Sequence, residues 1–413
     1  MKYPVVELKK EVAPLVRQGF GWYYRSQLKR LPELPSGEIV QLELDRRVVG
    51  LGFYNRESQI SVRLFHIGPP VEVTPSFWRE RVLESFRLRK TLPLNSNGFR
   101  LLHGEGDLIP GVILDIYDRW GVIQFNTAGG ERVREAILEG VKGLKGEGFQ
   151  LEGVWEKRDP VRELEGLEVG EGFPLFGEVP ERIGIWEGEF KFEVFPRGGQ
   201  KTGFYLDQRE NRRLIGKLPV NRVLDLFSHS GGFGIYLGRK GAQVTFVEIS
   251  RGAVAQIHRH CQLNRIQNYT ALNRDVFKFL EPVAQLKGGK GSRERGVEGE
   301  LGEEKGVYRR YQLIVIDPPP FAKNRKGRKG ALRGWKYLIS NSLPLLERGG
   351  YLALFSCSHS ITASDLRDLL LSSATSENRI VEEIAPLRQA PDHRYLPQFP
   401  STLYLTGLLA RVW

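Results

Sequence analysis

Hydrophobic and polar positions alternate in short bursts near the start of the chain. In the second half they give way to longer apolar runs separated by helical spacing. Glu38 to Leu44 alternates, Arg47 to Tyr54 follows the Asp45-Arg46 turn, and Gln59 to Leu64 alternates again. Period-two segments this close together predict a small β-barrel over residues 1–70, with Pro69-Pro70 at its boundary. Beyond it, Phe77 to Leu92 has helical spacing. Leu101 to Trp120 and Gly121 to Asn126 predict a hairpin with Asp118-Arg119-Trp120-Gly121 as its turn, and Glu131 to Lys145 predicts a second helix. With strands at Val154 to Lys157 and Lys191 to Phe195, residues 71–190 read as a middle α+β domain.

The remaining residues, 191–413, alternate strand and helix. Val223 to Phe227 is an apolar run suited to a buried parallel strand, followed by a helix to Lys240 and a second strand, Ala242 to Val247, ending on Glu248. Helix Ala253 to Asn264 leads to a strand, Thr270 to Asp275. Tyr311 to Ile316 is a further strand, Trp335 to Glu347 a helix, and Tyr351 to Phe355 the next strand. A helix from Ala363 and strands near Val381 and from Leu403 to Val412 complete the pattern. The fold class is therefore α/β, a doubly wound Rossmann-like domain preceded by the two smaller ones. The charged, low-complexity stretch near 287–306 cannot bury apolar surface and is expected to be a flexible insertion.

The turn between the first strand and helix, Ser228-His229-Ser230-Gly231-Gly232-Phe233-Gly234, is built from small residues that let a ligand approach the backbone. Glu248, about 20 residues on, stands where a carboxylate accepts both hydroxyls of a ribose. Ser228-His229-Ser230 replaces the front half of the G-x-G-x-x-G fingerprint of pyrophosphate binding. An adenosine ligand without phosphates, S-adenosylmethionine, fits better. Ligands of such sheets bind outside the carboxyl ends of the strands, and polar residues end four of them: Glu248, Asp275, Asp317 and Cys357. Asp275 is a candidate acceptor for the adenine amine. Asp317 is held by Pro318-Pro319-Pro320, and Phe321 offers a face for a base.

Composition narrows the partner. The chain has 413 residues, enough for more than one domain, and a net charge of +12, which favours a polyanion. A basic loop, Lys323, Arg325, Lys326, Arg328 and Lys329, follows the proline run, and together with Pro318 and Phe321 it forms the candidate RNA-binding set. Gly19 to Arg25 adds aromatics and a base of a kind suited to RNA, although core packing is the commoner explanation for Phe20 and Trp22 individually. Two cysteines, Cys261 and Cys357, exclude a disulfide framework and a cysteine-based zinc site, so no metal is expected. His258 to Cys261 resembles a metal motif, but neighbours on a helix point to different faces. The N-terminal stretch lacks the apolar core of a signal peptide, and no run reaches the ~20 apolar residues of a membrane span. A cytoplasmic protein without membrane contact is expected.

Cys357 points to the reaction. Carbon 5 of a pyrimidine is a poor nucleophile until a thiolate adds at carbon 6, and cysteine is the side chain best suited to that addition. Cationic groups of the 323–329 loop would favour the thiolate. The stretches KTGFYLDQR, LDLFSHSGGF, DPPPF, LFSCS and PDHRYLPQFPSTLYLTG closely resemble the RlmI-type large-subunit ribosomal RNA cytosine-5 methyltransferases across nearly the whole chain. The resemblance implies a PUA barrel for RNA, a middle EEHEE domain and a class I methyltransferase domain. It implies Cys357 as nucleophile, Asp317 near the cytosine edge, and Phe204, Tyr205, Ser228, Ser230, Gly231, Gly232, Glu248 and Asp275 around the cofactor. Asp225, Phe233 and Asp317 complete the cofactor set. Large-subunit ribosomal RNA is the expected partner, with a homodimer as the expected assembly.

This sequence departs from many related enzymes in lacking a second cysteine at Asp317-Pro318-Pro319, so another base must release the product; Asp392 or His393 is the candidate. Two alternatives compete with cytosine-5 transfer. One is methylation of an amino group or ring nitrogen of guanine or adenine through the DPPPF pocket, which needs no thiol. The other is RNA binding without catalysis.

Overall fold

The computed structural model describes residues 3–198, 202–288, 307–321, 327–358 and 360–413. Most of the insertion expected near 287–306, together with Lys323, Arg325 and Lys326, lies outside the described residues. The chain divides into two compact units. The first comprises Met1–Gly188, Glu193–Leu206 and Ala390–Leu403, and the second Glu189–Phe192, Asp207–Gln389 and Tyr404–Trp413.

The first unit opens with a five-stranded sheet, in spatial order Val5–Glu7, Glu38–Leu44, Arg47–Tyr54, Val62–Ile67 and Trp22–Tyr23. An isolated bridge between Leu8 and Leu28 joins the segments that follow its two edge strands. A second five-stranded sheet runs Phe173–Phe176, Gly153–Glu156, Trp120–Phe125, Val112–Tyr117 and Gly98–His103. The expected strand from Leu101 to Trp120 is two strands, because Gly104–Asp107 coils into a 3-10 turn ahead of Pro110. Helices Pro75–Lys90 and Arg134–Gly143 pack together. Phe53 stacks on Trp78 at 5.3 Å, and one apolar cluster includes residues of both sheets, so the segments on either side of exposed Pro69-Pro70 share a core. Trp22 and Tyr23 belong to this fold. Tyr23 is fully buried, and the Trp22 indole donates to Glu105 at 2.9 Å beneath the Arg63 guanidinium.

Charges that look like surface in the sequence are buried here. Arg89 forks onto both oxygens of Asp107 at 2.5 and 2.6 Å, and Arg100 onto both of Asp115 at 2.7 Å. Asp392 accepts the Arg100 backbone N–H at 2.9 Å, and its carbonyl accepts from Arg89.

The second unit is a seven-stranded sheet. Its spatial order is Tyr269–Asn273, Gln243–Glu248, Arg222–Leu226, Tyr311–Ile316, Leu346–Ser356, Thr406–Val412 and Val381–Arg388. The first five strands run parallel, and Thr406–Val412 runs antiparallel to both its neighbours. Helices Gly232–Gly238, Arg251–Leu263, Val276–Gly288, Arg328–Ser342 and Ala363–Thr375 make the connections. A doubly wound sheet reverses its strand order at the centre, between Arg222–Leu226 and Tyr311–Ile316, which is where such sheets hold ligands. Two boundaries differ from expectation. The helix expected at Trp335 begins at Arg328 and ends at Ser342, ahead of Pro344; the next strand starts early, at Leu346, because a register shift and left-handed Gly349 (φ +77°) let it bend through Gly349-Gly350.

Candidate active site

Strand register brings the chemistry to one edge of the second unit. Leu272, Val247, Leu226, Ile316 and Leu354 lie side by side across five parallel strands. Glu248, Phe227 and Asp317 are the next residues on three of them, while Asp275 and Cys357 come three residues beyond Leu272 and Leu354. Neighbouring strands are spaced about 4.8 Å, so the five strand ends cover roughly 19 Å, room for a nucleoside cofactor and a base side by side.

The glycine turn is wound by alternate left-handed residues: Phe227 (φ +58°), His229 (+48°) and Gly231 (+81°). Two of these carry side chains, at a cost of roughly 1–2 kcal/mol each. Glu248 offsets part of that cost. Its Oε2 accepts the His229 backbone N–H at 2.9 Å and its Oε1 the Ser250 N–H at 2.8 Å. Gly234 seats the following helix: a Cβ there would lie 2.1 Å from the Phe246 ring on the neighbouring strand. Phe233 is buried and stacks on Phe355 at 5.0 Å, so its ring belongs to the core under the turn. Ser228 and Ser230 are buried within the turn, and the Ser230 carbonyl pairs with His260 Nδ1 at 2.8 Å.

Asp225 is the penultimate residue of strand Arg222–Leu226 and almost fully buried. Its Oδ2 accepts the Gly234 N–H at 3.0 Å, and among the described residues nothing pairs with Oδ1. Burial raises its carboxyl to about 7, and the nearby Asp317 and Glu248 charges add to the rise. Three carboxyl groups thus share one turn, an environment suited to a cation-bearing nucleoside ligand. The residues present fit S-adenosylmethionine: Glu248 is held in place by the His229 and Ser250 N–H groups with lone pairs to spare for hydroxyl donors, and the Asp225–Asp317–Glu248 field suits sulfonium and ammonium charges. Because the folded value lies above the ordinary 3.8, Asp225 stabilises the ligand-free protein fully only below about 3.8, and this contribution is lost as pH rises through about 7. Asp225→Asn is therefore expected to raise the melting temperature of the ligand-free protein at pH 8 and to do so much less at pH 5. The difference is on the order of a few kcal/mol, read by calorimetry at the two pH values.

The other candidates divide. Asp275 caps helix Val276–Gly288, accepting the Lys278 N–H at 3.0 Å. Pro318 is buried beside half-exposed Asp317. The Phe321 ring meets Phe227, Phe277 and Trp335 edge-on at 5.9–6.4 Å, so it also closes the core beneath the strand ends. Arg328 is engaged in the fold, donating to the Ser360 carbonyl at 2.9 Å and to Asp365 at 2.6 Å, whereas Lys329 is exposed. Phe204 and Tyr205 belong to the first unit, where the Phe204 N–H donates to the Tyr117 hydroxyl at 3.2 Å.

Neither cysteine is in a disulfide, and they differ sharply. Cys261 is fully buried in helix Arg251–Leu263, and burial pushes its thiol up to about 12. Cys357 is partly exposed, one residue past its strand, beside a serine turn in which Ser358 and Ser360 pair at 2.8 Å. Asp392 and His393, the candidate releasing bases, are buried in the first unit: Asp392 is tied to Arg100, His393 Nδ1 lies 3.3 Å from Asp392, and its ring lies 5.4 Å from that of His103. Their polar atoms are committed to that network.

Two site residues escaped sequence reading. Gln208 donates to Asp317 Oδ2 at 2.9 Å, and Asn211 donates to Gln208 Oε1 at 2.6 Å. Their only signal was membership of the KTGFYLDQR stretch and its continuation.

Known proteins support the same architecture. Residues 6–66 match the family model of a PUA-like domain. Ribosomal RNA large subunit methyltransferase I of Escherichia coli is 31% identical over 94% of this chain and 97% of its own length. Its namesake from Alteromonas mediterranea is 32% identical over 88% of this chain and 87% of its own. Among solved structures, a protein described as a SAM-dependent methyltransferase from Streptococcus mutans superposes with a TM-score of 0.80 at 20% identity, covering 99% of this chain and all of the other. That likeness is one of fold.

Proposed function

The chain belongs to the ribosomal RNA large subunit methyltransferase I family, and on that premise we propose that it transfers a methyl group from S-adenosylmethionine to carbon 5 of a cytosine in large-subunit ribosomal RNA. The observation that carries this reading is the shared sheet edge, where a partly exposed thiol and three carboxyl groups flank a left-handed glycine turn.

In this reading Glu248 accepts the ribose hydroxyls with the lone pairs not taken by His229 and Ser250. Asp225 offers its unpaired Oδ1 to a donor of the same ligand. The bound cofactor supplies an electrophilic methyl on a sulfonium. Cys357 adds as thiolate to carbon 6 of the base, forming a C–S bond and pushing the ring electrons toward carbon 5. Carbon 5 would then take the methyl that the cofactor supplies, and transfer of the carbon 5 proton to a solvent base would expel the Cys357 thiolate. Asp317 receives the polar edge of the base. The PUA-like sheet and the basic balance of the chain hold the RNA through its phosphates.

Incubation of ribosomal RNA with methyl-labelled cofactor, followed by nucleoside mass spectrometry, tests the reading. Label in 5-methylcytidine is expected. Label in an amino- or ring-nitrogen-methylated purine would replace this reading with the thiol-independent one.

A further inference from the structure

The segment ahead of the first parallel strand contains a directional hydrogen-bond relay aimed at Asp317. Its origin is the backbone carbonyl of Arg388, which can only accept. Asn211, 4% exposed, donates its Nδ2 to that carbonyl at 2.9 Å, which fixes the orientation of the amide. The same nitrogen donates to Gln208 Oε1 at 2.6 Å. With its oxygen so engaged, Gln208, 2% exposed, must turn Nε2 toward Asp317, and it donates to Oδ2 at 2.9 Å. Each amide leaves the next no choice of direction. An exposed strand-end acid needs no such support, and two nearly sealed amides are an expensive way to supply it unless the polarity of the carboxylate matters.

We propose that Gln208, oriented by Asn211, is a specificity-determining positioning residue that keeps Asp317 an acceptor, so that the site takes the amine edge of cytosine and rejects the keto edge of uracil. The inference rests on the cytosine-5 reading above. Cytosine presents an N4 amine, a donor, where uracil presents an O4 acceptor. An acceptor-only carboxylate pairs with the first and faces the second lone pair to lone pair. A pocket that satisfies a donor discriminates strongly against a base lacking it. Without the Gln208 donor the carboxylate loses the contact that orients its lone pairs, and its preference for the amine edge over the keto edge falls. The other charged groups on this segment are Asp207, which accepts the Tyr404 hydroxyl at 2.6 Å, and Arg209, Glu210, Arg212 and Arg213 on the following helix.

The experiment uses the full-length enzyme on two ribosomal RNA transcripts, one with the mapped target cytosine and one with uridine in its place. Wild-type methylation of the cytosine transcript is the control for the underlying reading; its failure sinks that reading alone. Gln208→Met is expected to lower the cytosine-to-uridine ratio of kcat/KM by about tenfold or more. A purely structural loss lowers both rates equally and leaves the ratio unchanged, and that result would overturn the proposal. Gln208→Glu supplies the same donor only while the introduced carboxyl is protonated. Its ratio is expected to move toward wild type as pH is lowered and toward that of the Met variant as pH is raised. A ratio for the Glu variant that does not change with pH also counts against the relay. Asn211→Ala, which frees the Gln208 amide to flip, is expected to show an intermediate ratio, and a wild-type ratio there contradicts the directional argument.

Discussion

Cys357→Ala is expected to lose methyl transfer by more than about a thousandfold while still binding S-adenosylhomocysteine. Covalent addition is what makes carbon 5 nucleophilic, and no neighbouring hydroxyl substitutes for it. Ser356 and Ser358 flank the position, but a serine hydroxyl is hardly ionised at neutral pH without a base, whereas a thiol is a few per cent ionised even when nothing assists it. The Ser358 hydroxyl is in any case paired with Ser360. The companion variant Cys261→Ala keeps transfer, since burial pushes that thiol up to about 12 and leaves it no reactive thiolate. Loss of transfer in both variants, or in neither, would show that the thiol at the sheet edge is not the nucleophile. Calorimetric titration with S-adenosylhomocysteine separates a lost nucleophile from a lost fold.

The second large effect is on the cofactor. Glu248→Ala is expected to weaken S-adenosylhomocysteine binding by about a hundredfold or more, because one carboxylate performs two tasks. It accepts two backbone N–H groups of the left-handed turn, and each such charge-assisted bond is worth about 1.5–3 kcal/mol. It also stands at the end of the second parallel strand, where a ribose is received. Removing it leaves His229 and Ser250 N–H groups partly buried without their acceptor and lets the turn relax. Glu248→Gln keeps one oxygen acceptor and is expected to fall between wild type and Ala. Titration calorimetry reads the affinity and thermal melting reads the turn. Wild-type affinity in the Ala variant would remove Glu248 from the site.

These effects show which parts of the molecule were legible in the sequence. The run from Arg222 to Glu248 could be read because its signals are local: a buried strand has to be apolar, a left-handed turn needs glycine at Gly231, and Phe246 leaves no room for a Cβ at Gly234. Strand-end acids follow from the same logic, since a parallel strand stops being apolar where it leaves the core. Gln208 was not legible. Its partner Asp317 is 109 residues away, and a glutamine in a basic, polar stretch reads as surface. Asp392 and His393 show the converse. A polar pair in a family motif suggested catalysis, and in the first unit the Asp392 carboxylate accepts the Arg100 backbone N–H while its carbonyl accepts from the Arg89 guanidinium. Arg328 read as one cation in a basic loop, but its hydrogen bonds to Ser360 and Asp365 hold the approach to helix Ala363–Thr375. In each of these cases the sequence carried the charge but not the partner, and the partner decides whether a polar group serves the fold or the reaction.

The central claim is that the thiol of residue 357 bonds to carbon 6 of a cytosine during methyl transfer. Ribosomal RNA transcribed with 5-fluorocytidine keeps fluorine where the departing proton should be, so the adduct cannot be resolved after methylation. Incubated with S-adenosylmethionine, the wild-type enzyme should form a covalent protein–RNA species that survives denaturing electrophoresis and maps by mass spectrometry to the peptide containing Cys357. Methylation of the unsubstituted RNA in full, with no such species formed on the fluorinated RNA or with the cross-link on another residue, would contradict it.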